Sequence, residues 1–199
     1  MSPPPENPLT GSRVSCSTGE FTLEERRILL QLAHASIESA LENRDIALDP
    51  PSCHLAEPRG AFTTIYFHGE LRGCVGYVLP VASLYRTVAE TARAAAFEDT
   101  RFSPVTSEEA PQLEISLSIL SPLQPITAEE VEIGRHGLLV SQHGRRGLLL
   151  PQVPVEHGWD RVKFLEQTCR KAGLPADAWQ KGATIEGFTA EVFGDADLT

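Results

Sequence analysis

Residues 61–79 constrain the fold more than any other part of the chain, because their pattern predicts a β-hairpin. Residues 61–68 alternate and are rich in Phe, Thr, Ile and Tyr, which favour strands. Gly69 and Glu70 follow as a two-residue turn, with glycine first as a type II′ turn requires. Residues 71–79 then return as the partner strand. This hairpin sets the geometry of the LRGCVG stretch at residues 71–76.

The LRGCVG stretch combines three kinds of residue that carry chemistry. Arg72 is a permanent cation that binds carboxylates and phosphates through a planar fork. Cys74 is a nucleophile if its thiolate is stabilised, and otherwise a small apolar residue. Gly73 and Gly76 flank the cysteine and allow another group to approach the backbone closely. The stretch is therefore the first candidate for a functional site.

The predicted turn also fixes which residues face each other across the hairpin. Phe67 pairs with Arg72 and Ile65 with Cys74. Strand alternation then places Arg72 and Cys74 on one face, where the guanidinium favours a thiolate. Ile65 and Phe67 line the same face, and apolar surroundings disfavour the charged thiolate. A bulge at Gly73 would reverse this register and change the outcome.

Helical spacing and capping residues predict three helices. Thr22 and Glu25 form a capping box for the first, which runs to about Asn43. Ser83 caps the second helix, which ends near residues 98–99. Asp160 caps the third, and the Gly-Leu-Pro sequence at residues 173–175 ends it.

Further strands are predicted after the second helix. Residues 113–120 alternate cleanly, with Glu114, Ser116 and Ser118 on the face opposite the apolar residues. Short strands at 138–141 and 147–150 flank a tight turn at 144–146. One last strand contains the 188–192 segment.

Together these elements predict an α+β fold with mainly antiparallel sheets flanked by helices, in two intimately packed subdomains. The split lies near residues 121–135, with a crossover of segments. Residues 1–20 are rich in Pro, Ser, Thr and Gly and are expected to form a disordered tail. Residues 21–199 are expected to form the folded domain.

Composition and sequence motifs argue against several classes of function, although a local basic patch on an acidic protein stays open. The formal net charge is −10, whereas duplex-binding proteins carry a basic stripe, so a nucleic-acid partner is disfavoured. No apolar run approaches the roughly 18 residues that span a bilayer, and no secretory signal is present. The chain has no P-loop or dinucleotide-binding glycine motif, so no nucleotide cofactor is implied.

The cysteines indicate a cytoplasmic protein with reduced thiols. They lie far apart without a C-x-x-C pair, at Cys16, Cys53, Cys74 and Cys169. This spacing matches neither a disulfide framework nor a zinc site. We therefore predict no metal and no cofactor, with a site formed by Cys74, His136 and a glutamate through tertiary contact as the one alternative for a metal.

Four blocks of sequence resemble the AMMECR domain family, in the family's order. They are LRGCVG at 71–76, AAAFEDTRF at 94–102, LEIS at 113–116 and GLLLPQV at 147–153. The resemblance covers residues 21–193 and implies that these blocks meet at a cleft between two subdomains. The family has no settled activity. Related prokaryotic proteins resemble protein A of the AmmeMemoRadiSam system, which implies Memo-like or radical-SAM proteins as partners.

The candidate site combines residues from distant parts of the chain: Arg72, Cys74, Glu98, Arg101, Glu114 and His136. As an enzyme for a small anionic or protein substrate, it would use Cys74 as nucleophile and His136 as base. Glu114 or Glu98 would orient the base. The predicted ligand-binding residues are Arg72, Gly73, Gly76, Glu98 and Arg101, with either arginine clamping an anion.

Each candidate also has a structural interpretation. Cys74 would be a strand residue chosen for its size, Arg72 would form an ion pair with Glu98 or Glu114, and His136 would favour a turn. A non-catalytic module that binds a ligand or partner is the alternative function.

Overall fold

The computed structural model describes residues 19–198, so the predicted tail lies outside the described residues except for residues 19 and 20. Cys16 also lies outside them. The helices are α1 (Leu23–Leu41), α2 (Leu84–Phe97), α3 (Gln152–Glu156) and α4 (Arg161–Lys171). The strands are β1 (Ala61–Phe67), β2 (Glu70–Tyr77), β3 (Leu113–Leu120), β4 (Gln124–Pro125), β5 (Gly137–Gln142), β6 (Arg145–Leu149), β7 (Thr184–Phe188) and β8 (Ala190–Gly194).

The strands form two antiparallel sheets, which confirms the predicted α+β class. The first sheet has the order β2-β1-β3-β8 and the second has the order β4-β7-β5-β6. Helix α2 packs on β1 and β2, α1 packs on α2 and β3, and α4 packs on β5 and β6. The main hydrophobic core therefore lies between the first sheet and the two long helices. Within residues 19–198, no helix is both long and apolar enough to cross a membrane.

The chain crosses from one sheet to the other twice. It leaves the first sheet after β3, and it returns at Thr189 to add β8 at the edge of that sheet. Two hydrogen bonds join the crossing segments. Ser121 N–H donates to the Thr189 carbonyl (2.9 Å), and Thr189 N–H donates to Ser121 Oγ (3.0 Å). The prediction of one last strand is therefore wrong. Phe188 belongs to the second sheet, whereas Ala190 and Val192 belong to the first.

The hairpin of β1 and β2 forms, but its predicted turn is wrong by one residue. The turn residues are His68 (φ 52°) and Gly69 (φ 78°), and positive φ at both positions is the requirement of a type I′ turn. A bulge then follows, so that Gly73 pairs with Ile65 and Arg72 is the extra residue. As a result Cys74 pairs with Thr64, and the predicted pairing of Cys74 with Ile65 is also wrong.

The same correction applies to the second hairpin. His143 (φ 50°) and Gly144 (φ 78°) form its turn, and Arg145 and Arg146 belong to β6 instead of the turn. The short helix α3 was not predicted at all.

The predicted helix starts are confirmed by side-chain caps. Thr22 Oγ1 accepts from Glu25 N–H (3.2 Å), and the Glu25 carboxylate accepts from Thr22 N–H (3.0 Å). The side chains of Ser83 and Asp160 likewise accept from the backbone N–H of Arg86 in α2 and Lys163 in α4, without the reciprocal bond. Each cap satisfies an amide that a helix N-terminus leaves unpaired.

One contact in this region makes stability depend on pH. His54 Nδ1 lies 2.8 Å from Glu25 Oε1, and its ring stacks on Phe21 at 4.7 Å. Burial lowers the pKa of His54 and is the largest single effect, but the hydrogen bond and charge of Glu25, together with Glu20 and Glu57, outweigh it, so the pKa is raised. A raised pKa means that the protonated imidazole stabilises the folded state.

We expect the contribution of His54 to the free energy of unfolding to be fully present below about pH 6.5, the usual pKa of histidine, and to be lost as the pH rises through the folded-state pKa. Urea denaturation of wild type and His54→Gln between pH 5.5 and 8.5 measures this. The stability difference between the two proteins should shrink with rising pH. A difference that grows with pH would contradict the assignment.

Candidate functional site

Cys74 lies on the face of the first sheet that points away from helix α2. Its neighbour Gly73 faces the helix, where an added Cβ would meet the Ala95 carbonyl oxygen at 2.1 Å. Because successive strand residues point to opposite faces, Cys74 must point the other way. The group that approaches Gly73 closely is therefore the backbone of α2.

A cavity of about 320 Å³ lies over this outer face of the sheet. We call it the Cys74 cavity. The 150–152 segment, which follows β6 and ends at the first residue of α3, contributes to its wall and comes from the second half of the chain. Its lining residues are Phe62, Thr64, Tyr66, Cys74, Ser116, Ser118, Leu120, Leu150, Gln152, Ala190 and Val192.

Three small polar side chains form a row across the floor of the Cys74 cavity. Thr64 on β1 pairs with Cys74 on β2 and with Ser116 on β3. Thr64 Oγ1 lies 3.3 Å from Cys74 Sγ, so the hydroxyl holds the thiol by a hydrogen bond. Directly opposed residues in a sheet lie about 5 Å apart. The row therefore presents evenly spaced hydrogen-bonding groups to the cavity.

The next row explains the second glycine of the LRGCVG stretch. Gly76 pairs with Phe62, and Phe62 pairs with Ser118 on the other side. A Cβ on Gly76 would lie 2.1 Å from Phe62 Cδ1, so the phenyl ring covers the glycine. Gly76 therefore allows Phe62 to lie flat on the sheet as an apolar part of the wall.

Asp99 and Arg101 hold the backbone of Cys74 at the free edge of the sheet. Cys74 N–H donates to Asp99 Oδ2 (2.9 Å), and Arg101 Nη2 lies 3.5 Å from the Cys74 carbonyl oxygen. Arg101 also donates to both Asp99 oxygens, at 2.9 and 2.7 Å. The guanidinium, followed by the Cys74 amide, holds the pKa of Asp99 well below its usual range. Asp99 and Arg101 therefore bind backbone N–H and C=O groups of Cys74 that an edge strand would otherwise leave unpaired.

Arg72 binds the loop that follows α2. Its Nε and Nη2 donate to the Glu109 carboxylate at 3.0 and 3.1 Å, and Nη1 donates to the Ser103 carbonyl at 2.7 Å. Nη2 also reaches the Pro104 carbonyl at 3.3 Å. The Arg72 guanidinium lowers the pKa of Glu109. The ion-pair partner is thus Glu109, and the predicted pairing with Glu98 or Glu114 is wrong.

The remaining candidates do not line the Cys74 cavity. His136 lies on a separate cavity of about 440 Å³ beside β4 and β7, where its Nδ1 accepts from Glu132 N–H (3.1 Å). Glu114 is exposed and pairs with Tyr66, which places it one row beyond Ser116 on the same face. Glu98 is exposed at the C-terminus of α2. The structure therefore does not bring His136 to Cys74.

The sequence patterns do not identify several residues of this site. The contact of Asp99 with the Cys74 amide and the contact of Glu109 with Arg72 carried no local signal, because the two residues of each contact lie 25 and 37 residues apart in the chain. Ser116 did carry a signal, since it was placed on the polar face of β3. Thr64 was missed because the register error placed it on the other face.

The other described cysteines differ in their exposure. Cys53 is exposed, whereas Cys169 is buried in the core of the second half and burial raises the pKa of its thiol. Among residues 19–198, no group of three or more His, Cys, Asp or Glu side chains is placed to hold a metal ion.

The chain is similar to a known protein family, to proteins of other organisms and to a solved crystal structure. A family model described as AMMECR1 matches residues 30–193. Protein MK0488 of Methanopyrus kandleri is 42% identical over 190 residues, which cover 89% of this chain and 92% of that protein. Protein MJ0810 of Methanocaldococcus jannaschii is 40% identical, with coverage of 89% and 93%. The crystal structure of the uncharacterised protein PH0010 from Pyrococcus horikoshii superposes with a TM-score of 0.69 at 37% identity, covering 84% of this chain and 89% of that one.

Proposed function

The chain belongs to the AMMECR1 family, and from this premise we propose that it binds a small molecule in the Cys74 cavity. One observation carries the proposal. The row of Cys74, Thr64 and Ser116 presents polar groups to a cavity of about 320 Å³ instead of to bulk solvent or the core. That volume lies at the lower end of the range for small-molecule sites, roughly 300–1,000 Å³.

The composition of the wall supports ligand binding. Most ligand sites combine apolar side chains with a few placed polar groups. Here Phe62, Leu120 and Val192 supply the apolar part, and the Ser and Thr hydroxyls supply the polar part. Polar groups that a ligand desolvates must find partners in it, so the row would fix the ligand's orientation.

A cavity-filling variant tests the proposal. Wild type and Ser116→Leu are each incubated with a protein-free metabolite extract, washed and denatured, and the released small molecules are measured by mass spectrometry. We expect at least one species to be retained by wild type and reduced about tenfold or more by Ser116→Leu, because the leucine occupies the ligand's volume.

The matched control is Ser107→Leu, which makes the same change at an exposed position that does not line the cavity. It should retain the species as wild type does. If no retained species distinguishes Ser116→Leu from Ser107→Leu, the proposal fails.

A cysteine-dependent enzyme remains the second candidate, because a thiol lies on the cavity wall beside the Thr64 hydroxyl. The binding function is favoured because the described residues lining the cavity include neither a histidine nor a carboxylate to act as base. Cys74→Ser separates the two functions. A binding module would retain the species unchanged, whereas an enzyme would lose its turnover of that species.

We also propose a cytoplasmic location and Memo-like or radical-SAM proteins as partners. They rest on the cysteine usage and on the family resemblance.

A further inference from the structure

We infer that the ligand of the Cys74 cavity is an uncharged molecule with a hydroxyl or amide edge and a hydrocarbon side. This inference rests on the proposed function and narrows it to a chemical class. It replaces the small anionic substrate expected from the sequence.

The lining itself excludes a charge partner. Of the described residues that line the cavity, none is Asp, Glu, Lys, Arg or His. A ligand charge buried there would lose its hydration without gaining a counter-ion, and an unpaired buried charge is strongly unfavourable. An uncharged ligand avoids this cost.

The cations near Cys74 are already neutralised. Arg72 is bound by Glu109 at 3.0 Å, and Arg101 is bound by Asp99 at 2.7 Å. Both carboxylates have lowered pKa values and stay ionised at neutral pH. Each arginine therefore forms a pair of zero net charge, and a protein of net charge −10 does not otherwise attract an anion.

The polar groups of the wall fit an uncharged partner. The hydroxyls of Thr64, Ser116 and Ser118 each donate one hydrogen bond and accept others, and the Gln152 amide does both. Hydroxyl and amide groups on a ligand offer the same mixture of donors and acceptors. Phe62 and Val192 would then contact the hydrocarbon side.

Charge-variant thiol reagents test the inference. Three methanethiosulfonates of similar size are used, carrying a hydroxyethyl, an aminoethyl or a sulfonatoethyl group. In each reaction the Cys74 thiolate forms a disulfide with the reagent sulfur and releases methanesulfinate. Rates are measured by peptide mass spectrometry in Cys16→Ser protein, and exposed Cys53 serves as the internal reference.

We expect the Cys74-to-Cys53 rate ratio to be about tenfold higher for the neutral hydroxyethyl reagent than for either charged reagent. Ser116→Asp places a carboxylate in the same row and should shift the preference to the aminoethyl reagent. A wild-type ratio that is highest for a charged reagent would overturn the inference but leave ligand binding intact. Modification of Cys74 no faster than that of buried Cys169, with every reagent, would instead overturn the proposed function.

Discussion

Gly73→Ala is expected to lower the free energy of unfolding by about 3 kcal/mol, the upper range for overpacking a well-packed core. The new methyl group would lie 2.1 Å from the Ala95 carbonyl oxygen, far inside van der Waals contact. The clashing atom belongs to the backbone of α2, so no side-chain rotation can relieve it. Strand and helix would have to separate, and the core between them would lose contacts. Urea denaturation followed by circular dichroism measures the change.

Cys74→Ala is the matched control for Gly73→Ala. It changes the next residue of the same strand, but on the cavity face, so it should cost less than about 1 kcal/mol. Equal losses in the two variants would contradict the assignment of the two faces. That result would also remove the basis for placing the thiol in the cavity.

Local patterns were sufficient to predict the fold class. The alternation of residues 113–120 predicts β3 with its observed bounds, and Thr22, Ser83 and Asp160 each begin a helix as predicted. These signals work because strand periodicity and N-capping depend on residues within one element.

The turn of the first hairpin shows where local patterns fail. Left-handed φ is unusual for a residue other than glycine, so His68 was not expected in the turn. The type I′ turn is nevertheless preferred because its twist matches that of the strands. The bulge then absorbs Arg72 and reverses the face of the residues that follow. The shifted turn and the bulge together place Cys74 opposite Thr64 instead of Ile65, and the bulge alone decides which face Cys74 occupies.

The partners of the site could not be predicted, because they come from contacts between distant segments. Glu109 binds Arg72 only because the loop after α2 folds back along the sheet edge. The wall at residues 150–152 depends on the two crossings between the sheets. No spacing in the sequence encodes either contact.

Arg72→Ala is expected to lower the free energy of unfolding by about 3 kcal/mol, the cost of breaking a largely buried ion pair. The side chains of Arg72 and Glu109 are only 12% and 21% exposed. Removal of the guanidinium leaves the Glu109 carboxylate and the Ser103 and Pro104 carbonyls without this donor. Thermal and urea denaturation measure the loss.

Arg72→Lys and Glu109→Gln separate a structural role from a ligand-binding role. Lysine keeps the charge but not the bidentate fork, so it should recover only part of the lost stability. Glu109→Gln breaks the same pair without touching Arg72, and it should destabilise the protein while leaving metabolite retention intact. If Arg72 instead clamped a ligand, Arg72→Ala would abolish retention with little change in stability, and Glu109→Gln would free the guanidinium and strengthen retention. Metabolite retention therefore falls in Arg72→Ala and rises in Glu109→Gln only if the arginine binds the ligand.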